Sequence, residues 1–297
     1  MVRAGSEVQF LSAAPFSPES STPLIGHSET SSSENLPDPI ETGHVDLGDQ
    51  QLEFVRYGAA RDEAPSLIFL HEGLGSVAMW RDFPARVAAA TGAQAIIYSR
   101  CGYGRSSPRT RPYDVDYMHK EALETLPRLF DAWGVSKPVL IGHSDGASIA
   151  LIQAAADNSP VRALALMAPH IFVEPISVQS ITKAREQFKS TDLKQRLSRY
   201  HNDPAHAFQG WNDIWLHPEF LHWNIEALLS GIDCPILAIQ GEDDAYGTMA
   251  QIDGIVSGTQ GSVELLKLPD CGHSPHRDQR GSTLDALSAF INGLNTP

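Results

Sequence analysis

Val139-Leu140-Ile141-Gly142-His143-Ser144-Asp145-Gly146-Ala147-Ser148-Ile149-Ala150 is the stretch on which the reading of this chain turns. Its apolar start, Val139 to Ile141, reads as a strand buried on both faces. Its end, rich in alanine and isoleucine, reads as a helix. Between them Gly142-His143-Ser144-Asp145-Gly146 fits G-x-S-x-G, and a strand before with a helix after is the setting in which that pattern forms a nucleophile elbow. The glycines have a steric reason. A serine at the tip of a tight, strained turn leaves no room for a side chain two residues to either side. The helix that starts there aims its first N–H groups at any negative charge growing near Ser144. The plainer alternative is a strand-to-helix turn that contains a serine by chance. Partners for Ser144 elsewhere in the chain decide between the two.

A serine hydroxyl is a weak nucleophile. It needs a base within hydrogen-bond reach and an acid to orient that base. On a sheet of this kind the chain order is serine, acid, histidine. After the apolar run Pro235–Gln240 comes Gly241-Glu242-Asp243-Asp244, and after Val263–Leu268 comes Pro269-Asp270-Cys271-Gly272-His273-Ser274-Pro275-His276. Both follow strand ends, where open α/β sheets place their ligands. His273 is the expected base, on a loop and after a glycine, while His276 reads as a structural or cap-facing residue. Asp244 is the expected acid by its register after Gly241. Asp243 and Glu242 stand as neighbours in register and Glu174 as the fallback after the preceding strand. An interval of 100 residues separates Ser144 from Asp244, and 29 separate Asp244 from His273. The oxyanion of an acyl-transfer intermediate needs two preformed N–H donors. The residue after the nucleophile, Asp145, supplies one. Gly73, in the glycine-rich loop His71-Glu72-Gly73-Leu74-Gly75-Ser76, is the expected second, unless that loop is only a turn.

The chain has 297 residues, 42% hydrophobic, enough for one large core with an inserted subdomain. Its formal charge of −14 and scattered basic residues argue against nucleic acid and anionic membranes as partners. Three cysteines, Cys101, Cys234 and Cys271, show no metal spacing and suggest a reducing compartment without a disulfide framework. No apolar run is long enough to span a membrane. The weak apolar run over 8–16 is broken by Gln, Ser and Pro, so the start reads as untargeted and the protein as cytoplasmic. No cofactor and no metal are expected. The expected partner is a small-molecule substrate, and the expected state a monomer or homodimer.

In order along the chain, 1–40 reads as a flexible tail rich in Ser, Pro, Glu and Thr. A hairpin follows, turning at Gly48-Asp49. Strands at Ser66–Leu70 and Gln94–Tyr98 flank a helix from Met79 to Ala90, and Asp116–Trp133 is a further helix. Val161–Met167 is the strand after the elbow helix. Such alternation implies a mostly parallel sheet flanked by helices. The span 171–232 breaks the rhythm and reads as a helical cap: Ile176–Phe188, Leu193–Tyr200, Pro204–Trp215 and Pro218–Leu229. The sheet resumes after it, so 41–170 and 233–297 form the core, closed by a helix over Ser282–Ile291. Trp211, Trp215 and Trp223 in the cap either pack it onto the sheet or line an acyl pocket.

From about residue 43 onward the chain resembles the α/β-hydrolase superfamily. His71-Glu72-Gly73-Leu74-Gly75 resembles its His-Gly oxyanion loop, with Glu72 where glycine is usual. Arg100-Cys101-Gly102-Tyr103-Gly104-Arg105-Ser106 resembles its Arg-Gly-x-Gly-x-Ser turn, read here as structural. Gly142–Gly146, Gly241–Asp244 and Gly272-His273 resemble its elbow, acid loop and histidine loop. The resemblance implies the α/β-hydrolase fold and a cofactor-independent serine hydrolase of an ester or related acyl bond. It says little of substrate, because the fold hosts many reactions. A carbon–carbon bond hydrolase or lactonase with the same triad, or a ligand-binding member with low turnover, fits the same motifs. Within the superfamily the motifs are similar to the biphenyl-hydrolase-like serine hydrolases. There the acid after the nucleophile is associated with recognising an amino-ester ammonium group, which would give Asp145 a substrate-binding role; Glu72, Trp211, Trp215 and Trp223 are further candidate substrate-binding residues.

Overall fold

The computed structural model describes residues 36–61 and 64–294. Of the tail expected over 1–40, residues 1–35 lie outside them. The chain forms one eight-stranded sheet in the order β1-β2-β4-β3-β5-β6-β7-β8. The hairpin β1 (Glu41–Asp46) and β2 (Gln51–Tyr57) is antiparallel, as is the β2–β4 pair. The strands β3 (Ser66–Leu70), β4 (Gln94–Tyr98), β5 (Val139–His143), β6 (Ala163–Met167), β7 (Ile236–Gly241) and β8 (Val263–Leu268) run parallel. Their apolar runs are continuous because both faces are covered. Leu67, Phe69, Val139 and Ile141 pack toward α1 (Phe83–Thr91) and α10 (Arg280–Gly293). Ile68, Leu70 and Leu140 pack on the other face, toward α2 (Tyr117–Lys120), α3 (Leu126–Trp133) and α4 (Asp145–Ala154). Each side chain buried in this way contributes ~1.5–3 kcal/mol. A π-helical turn, Glu121–Thr125, joins α2 to α3.

Between β6 and β7 the chain makes α5 (Pro175–Ser190), α6 (Leu193–Leu197) and α7 (Pro204–Trp215), then two 3-10 turns, Phe220–His222 and Glu226–Gly231. The expected helix over Pro218–Leu229 is therefore two short turns. Trp223 is extended, with ψ 129°, and Asn224 makes a strand-like bridge to Phe172 that interrupts the helical path. A helix the sequence reading passed over, α8 (Ala250–Gly258), connects β7 to β8. Its Gly254 is inconspicuous in a helix pattern, but a Cβ there would come within 2.5 Å of the Ile171 side chain, so close packing rather than propensity sets the residue. The short α9 (Pro275–Asp278) precedes α10.

The sheet order puts β3 and β5 side by side while their outgoing connections diverge. That crevice at the carboxyl ends of the strands is where an open α/β sheet receives a ligand. The loops after β3, β5, β6, β7 and β8 all meet there.

Candidate active site

Ser144 sits at the β5–α4 junction with φ 53° and ψ −117°, a conformation that costs a residue with a Cβ about 1–3 kcal/mol. The neighbouring glycines make the turn feasible. A Cβ on Gly146 would lie 2.0 Å from the Leu70 carbonyl oxygen, and one on Gly142 would lie 2.5 Å from the Ala147 Cα. Both obstacles are backbone, so neither can swing aside.

His273 Nε2 lies 2.9 Å from Ser144 Oγ, and His273 Nδ1 lies 2.8 Å from Asp244 Oδ2 and 3.0 Å from Oδ1. A carboxylate can only accept, so Nδ1 donates and Nε2 is left to accept from the serine hydroxyl. The Asp244 carboxylate also accepts from Gln240 Nε2 at 2.8 Å and from the Tyr246 N–H at 2.8 Å. Burial pushes its pKa up, but the His273 charge and hydrogen bond and the Tyr246 N–H outweigh this and hold it below the usual carboxylate value. For His273, burial pushes down, while the Asp244 charge and hydrogen bond, with Glu72 and Asp145 behind them, leave the pKa above 6.5.

The alternates to these residues are engaged elsewhere. Glu174 accepts from the Thr248 N–H and hydroxyl and from Gln251, while Glu242 and Asp243 are exposed. His276 packs its ring on Trp80 at 4.9 Å and on Phe83 at 5.6 Å, and burial holds its pKa far down.

A narrow pocket opens beside Ser144, lined by Glu72, Gly73, Leu74, His143, His170, Ile181, Trp211, Trp215, Tyr246 and His273. Trp211 of α7 lies across Gly73, whose missing side chain leaves the space. A Cβ there would come within 2.1 Å of the indole. Neither the Gly73 N–H nor the Asp145 N–H has a partner among the described residues. The loop carbonyl before Gly73 is pinned. Glu72 O accepts from the Gly75 N–H at 3.0 Å, from His71 Nδ1 at 2.6 Å and from Arg100 Nη2 at 3.0 Å. His71 Nε2 accepts the Arg100 N–H at 3.0 Å, so His71 carries its proton on Nδ1, and burial keeps that ring neutral.

Two expectations need correction. The Asp145 carboxylate does not face the cavity. It is 1% exposed and is taken up by Tyr117 Oη at 2.7 Å, Trp215 Nε1 at 3.1 Å and Arg100 Nη2 at 3.5 Å. Trp223 is also away from the cavity, stacked on Phe220 at 5.5 Å, whereas Trp211 and Trp215 line it. The anionic side chain in the cavity wall is Glu72. Its carboxylate makes a 3.5 Å electrostatic contact with His143 Nδ1, and His143 Nε2 donates to the His273 carbonyl at 2.6 Å. Burial pushes the Glu72 pKa up, but the hydrogen bond and contact with His143 outweigh it and hold the carboxyl below its usual range.

The sequence reading did not single out His143, His170 or Tyr246 for the site. His170 follows β6, as a ligand-facing loop residue should, and its ring lies 5.7 Å from that of His273. Tyr246 follows Asp244 by two residues, and its ring packs 4.7 Å from that of His273. Among the described residues no group of three His, Cys, Asp or Glu side chains is arranged to hold a metal ion, and no helix is long and apolar enough to cross a membrane.

A mostly parallel sheet with a strained serine elbow at its crevice defines the class, and residues 67–286 match the model of the alpha/beta hydrolase family. The chain belongs to that family. Among curated proteins it is 26% identical over 187 residues to the human serine hydrolase BPHL, an alignment that takes in 59% of this chain and 61% of that protein. The chain thus spans less than two thirds of that relative. Among solved structures it superposes on the enol-lactonase of Burkholderia xenovorans LB400 with TM-score 0.66 and 18% identity, over 84% of this chain and 99% of that one. It also superposes on a carboxylesterase of the thaumarchaeon Nitrososphaera gargenis with TM-score 0.69 and 18% identity, over 86% and 98%. At such identity the two structures share the fold.

Proposed function

We propose that the chain is a serine hydrolase that cleaves an ester of a small molecule through an acyl-enzyme. The observation that carries this is the unbroken hydrogen-bond chain Asp244–His273–Ser144 ending at an apolar cavity. In the proposed cycle Ser144 Oγ attacks the ester carbonyl as His273 Nε2 takes its proton. The carbonyl oxygen becomes an oxyanion facing the N–H groups of Asp145 and Gly73. Asp244 holds the imidazole in its tautomer and stabilises the imidazolium. When the tetrahedral intermediate collapses, His273 returns the proton to the departing alcohol. Water then enters, His273 deprotonates it, and the same steps release the acid and restore Ser144.

The kinship with BPHL and the folds of a lactonase and a carboxylesterase support acyl chemistry as the class. The cavity wall adds a limit. Leu74, Ile181, Trp211 and Trp215 favour an uncharged or apolar acyl group, and the ionised Glu72 disfavours an anionic one. The test is turnover of p-nitrophenyl acetate, with a burst of p-nitrophenol equal to the enzyme concentration. Ser144→Ala should abolish it. Equal release by that variant would refute the proposal.

A further inference from the structure

We propose that Arg100 is a positioning residue for both oxyanion-binding N–H groups, an inference that rests on the serine-hydrolase reading above. Arg100 lies in the turn after β4 and is 2% exposed. It is not among the residues that line the cavity. Its contacts nevertheless reach both halves of the oxyanion site.

On one side Nη2 donates to Glu72 O at 3.0 Å. That carbonyl belongs to the same peptide unit as the Gly73 N–H. In a planar trans peptide the C=O and N–H bonds point in opposite directions, so fixing the carbonyl fixes the direction in which the N–H points. A cation at the oxygen also draws electron density from the unit and makes the N–H a stronger donor. The backbone N–H of Arg100 adds to this by setting the His71 tautomer that donates to the same oxygen. On the other side Nη2 reaches Asp145 Oδ2 at 3.5 Å. Tyr117 Oη and Trp215 Nε1 hold the same carboxylate, so the first residue of α4, whose N–H is the other donor, is tied to three elements. Trp215 belongs to α7, so the brace runs into the helical insertion.

A purely structural role does not fit the bonding of Arg100. Two of its buried nitrogens, Nε and Nη1, have no hydrogen-bond partner among the described residues, although the guanidinium lies over the Tyr103 ring at 5.2 Å. A buried ion pair in which the cation is incompletely satisfied is expensive, and well-packed apolar side chains commonly replace one at no loss. What apolar side chains cannot do is hold a carbonyl and a carboxylate on opposite walls of a crevice.

This contrast defines the experiment. Arg100→Met combined with Asp145→Asn removes both charges and leaves no buried ion unpaired. Tyr117→Phe is the milder variant, removing one donor to Asp145 without touching the cavity. Both are compared with the wild type by melting temperature, by kcat and KM for p-nitrophenyl acetate, and by the inhibition constant of a trifluoromethyl ketone, which mimics the oxyanion. The brace predicts that the double variant loses about 100-fold in kcat, with KM within about threefold. The ketone should weaken in parallel, even where the melting temperature holds or rises. Tyr117→Phe should move in the same direction by severalfold. If either folded variant keeps wild-type kcat and ketone affinity, the brace is overturned and the hydrolase reading stands. If the wild type neither turns over the ester nor binds the ketone, both are overturned.

Discussion

Lowering the pH from 7.5 to 5.0 should destabilise this fold steeply, because four of its histidines, His71, His170, His201 and His276, are buried uncharged. Burial holds His170 down to about 3, with the charge of His273 adding to the effect, and it holds His201 down to about 4. Both are at most 2% exposed. In the unfolded chain each would titrate near 6.5. Between 6.5 and the folded values the unfolded state therefore binds more protons, so stability falls as pH falls through that window. At pH 5.0 each residue forfeits about 2 kcal/mol, and the pair about 4 kcal/mol, at roughly 1.4 kcal/mol per unit. His71 and His276 are shifted in the same direction and add to the loss, while the raised pKa of His273 offsets part of it. A loss of about 4 kcal/mol is a large share of a typical domain's 5–15 kcal/mol. It corresponds to a melting temperature lower by roughly 10 °C. The physical event is visible at His201, whose Nδ1 accepts the Gly104 N–H at 3.0 Å and loses that bond on protonation. Urea unfolding at the two pH values measures the effect, and His201→Gln should shrink the difference by about 2 kcal/mol. Equal midpoints at pH 7.5 and 5.0, or an undiminished difference in the variant, would refute the reasoning.

Three further outcomes follow from the site. Asp244→Asn, which removes the acceptor that fixes the His273 tautomer, should lower kcat by about 10⁴-fold, whereas Asp243→Asn at an exposed position should leave it nearly unchanged. Steady-state kinetics on the two variants checks this, and the reverse ranking would move the acid by one residue. Because the His273 pKa lies above 6.5, kcat/KM should rise with pH through a value above 6.5. Glu72→Gln, which removes a nearby negative charge, should shift that limb to lower pH, and an unshifted pH profile would count against the Glu72 contact. Trp211→Ala should change the ranking of p-nitrophenyl esters by chain length, while Trp223→Ala should lower the melting temperature and keep the ranking. Comparison over a C2 to C8 series separates the two.

The parts of the site that were legible in the sequence are those set by local sterics and strand ends. Gly142 and Gly146 announce the elbow because backbone crowds both positions, and Asp244 and His273 follow short runs, Pro235–Gln240 and Val263–Leu268, that read as strands. Asp145 misled because its partners are remote in sequence. A carboxylate beside the nucleophile looks free until Arg100, Tyr117 and Trp215 come round to it from three separate elements. Trp223 misled for a similar reason, since composition placed it with Trp211 and Trp215 but the break at Asn224 turned it onto Phe220. The Arg100 turn was recognisable as a motif. Its reach across the crevice depends on how β4 sits beside β3, which no local pattern encodes.

The account stands or falls on Ser144 forming a covalent intermediate. Incubation with a fluorophosphonate probe, followed by digestion and mass spectrometry, tests this most directly. The predicted result is one adduct per chain, on the peptide containing Ser144, absent after Ser144→Ala and strongly slowed by His273→Ala. Stoichiometric labelling of a different residue, or undiminished labelling of the Ser144→Ala variant, would contradict the assignment.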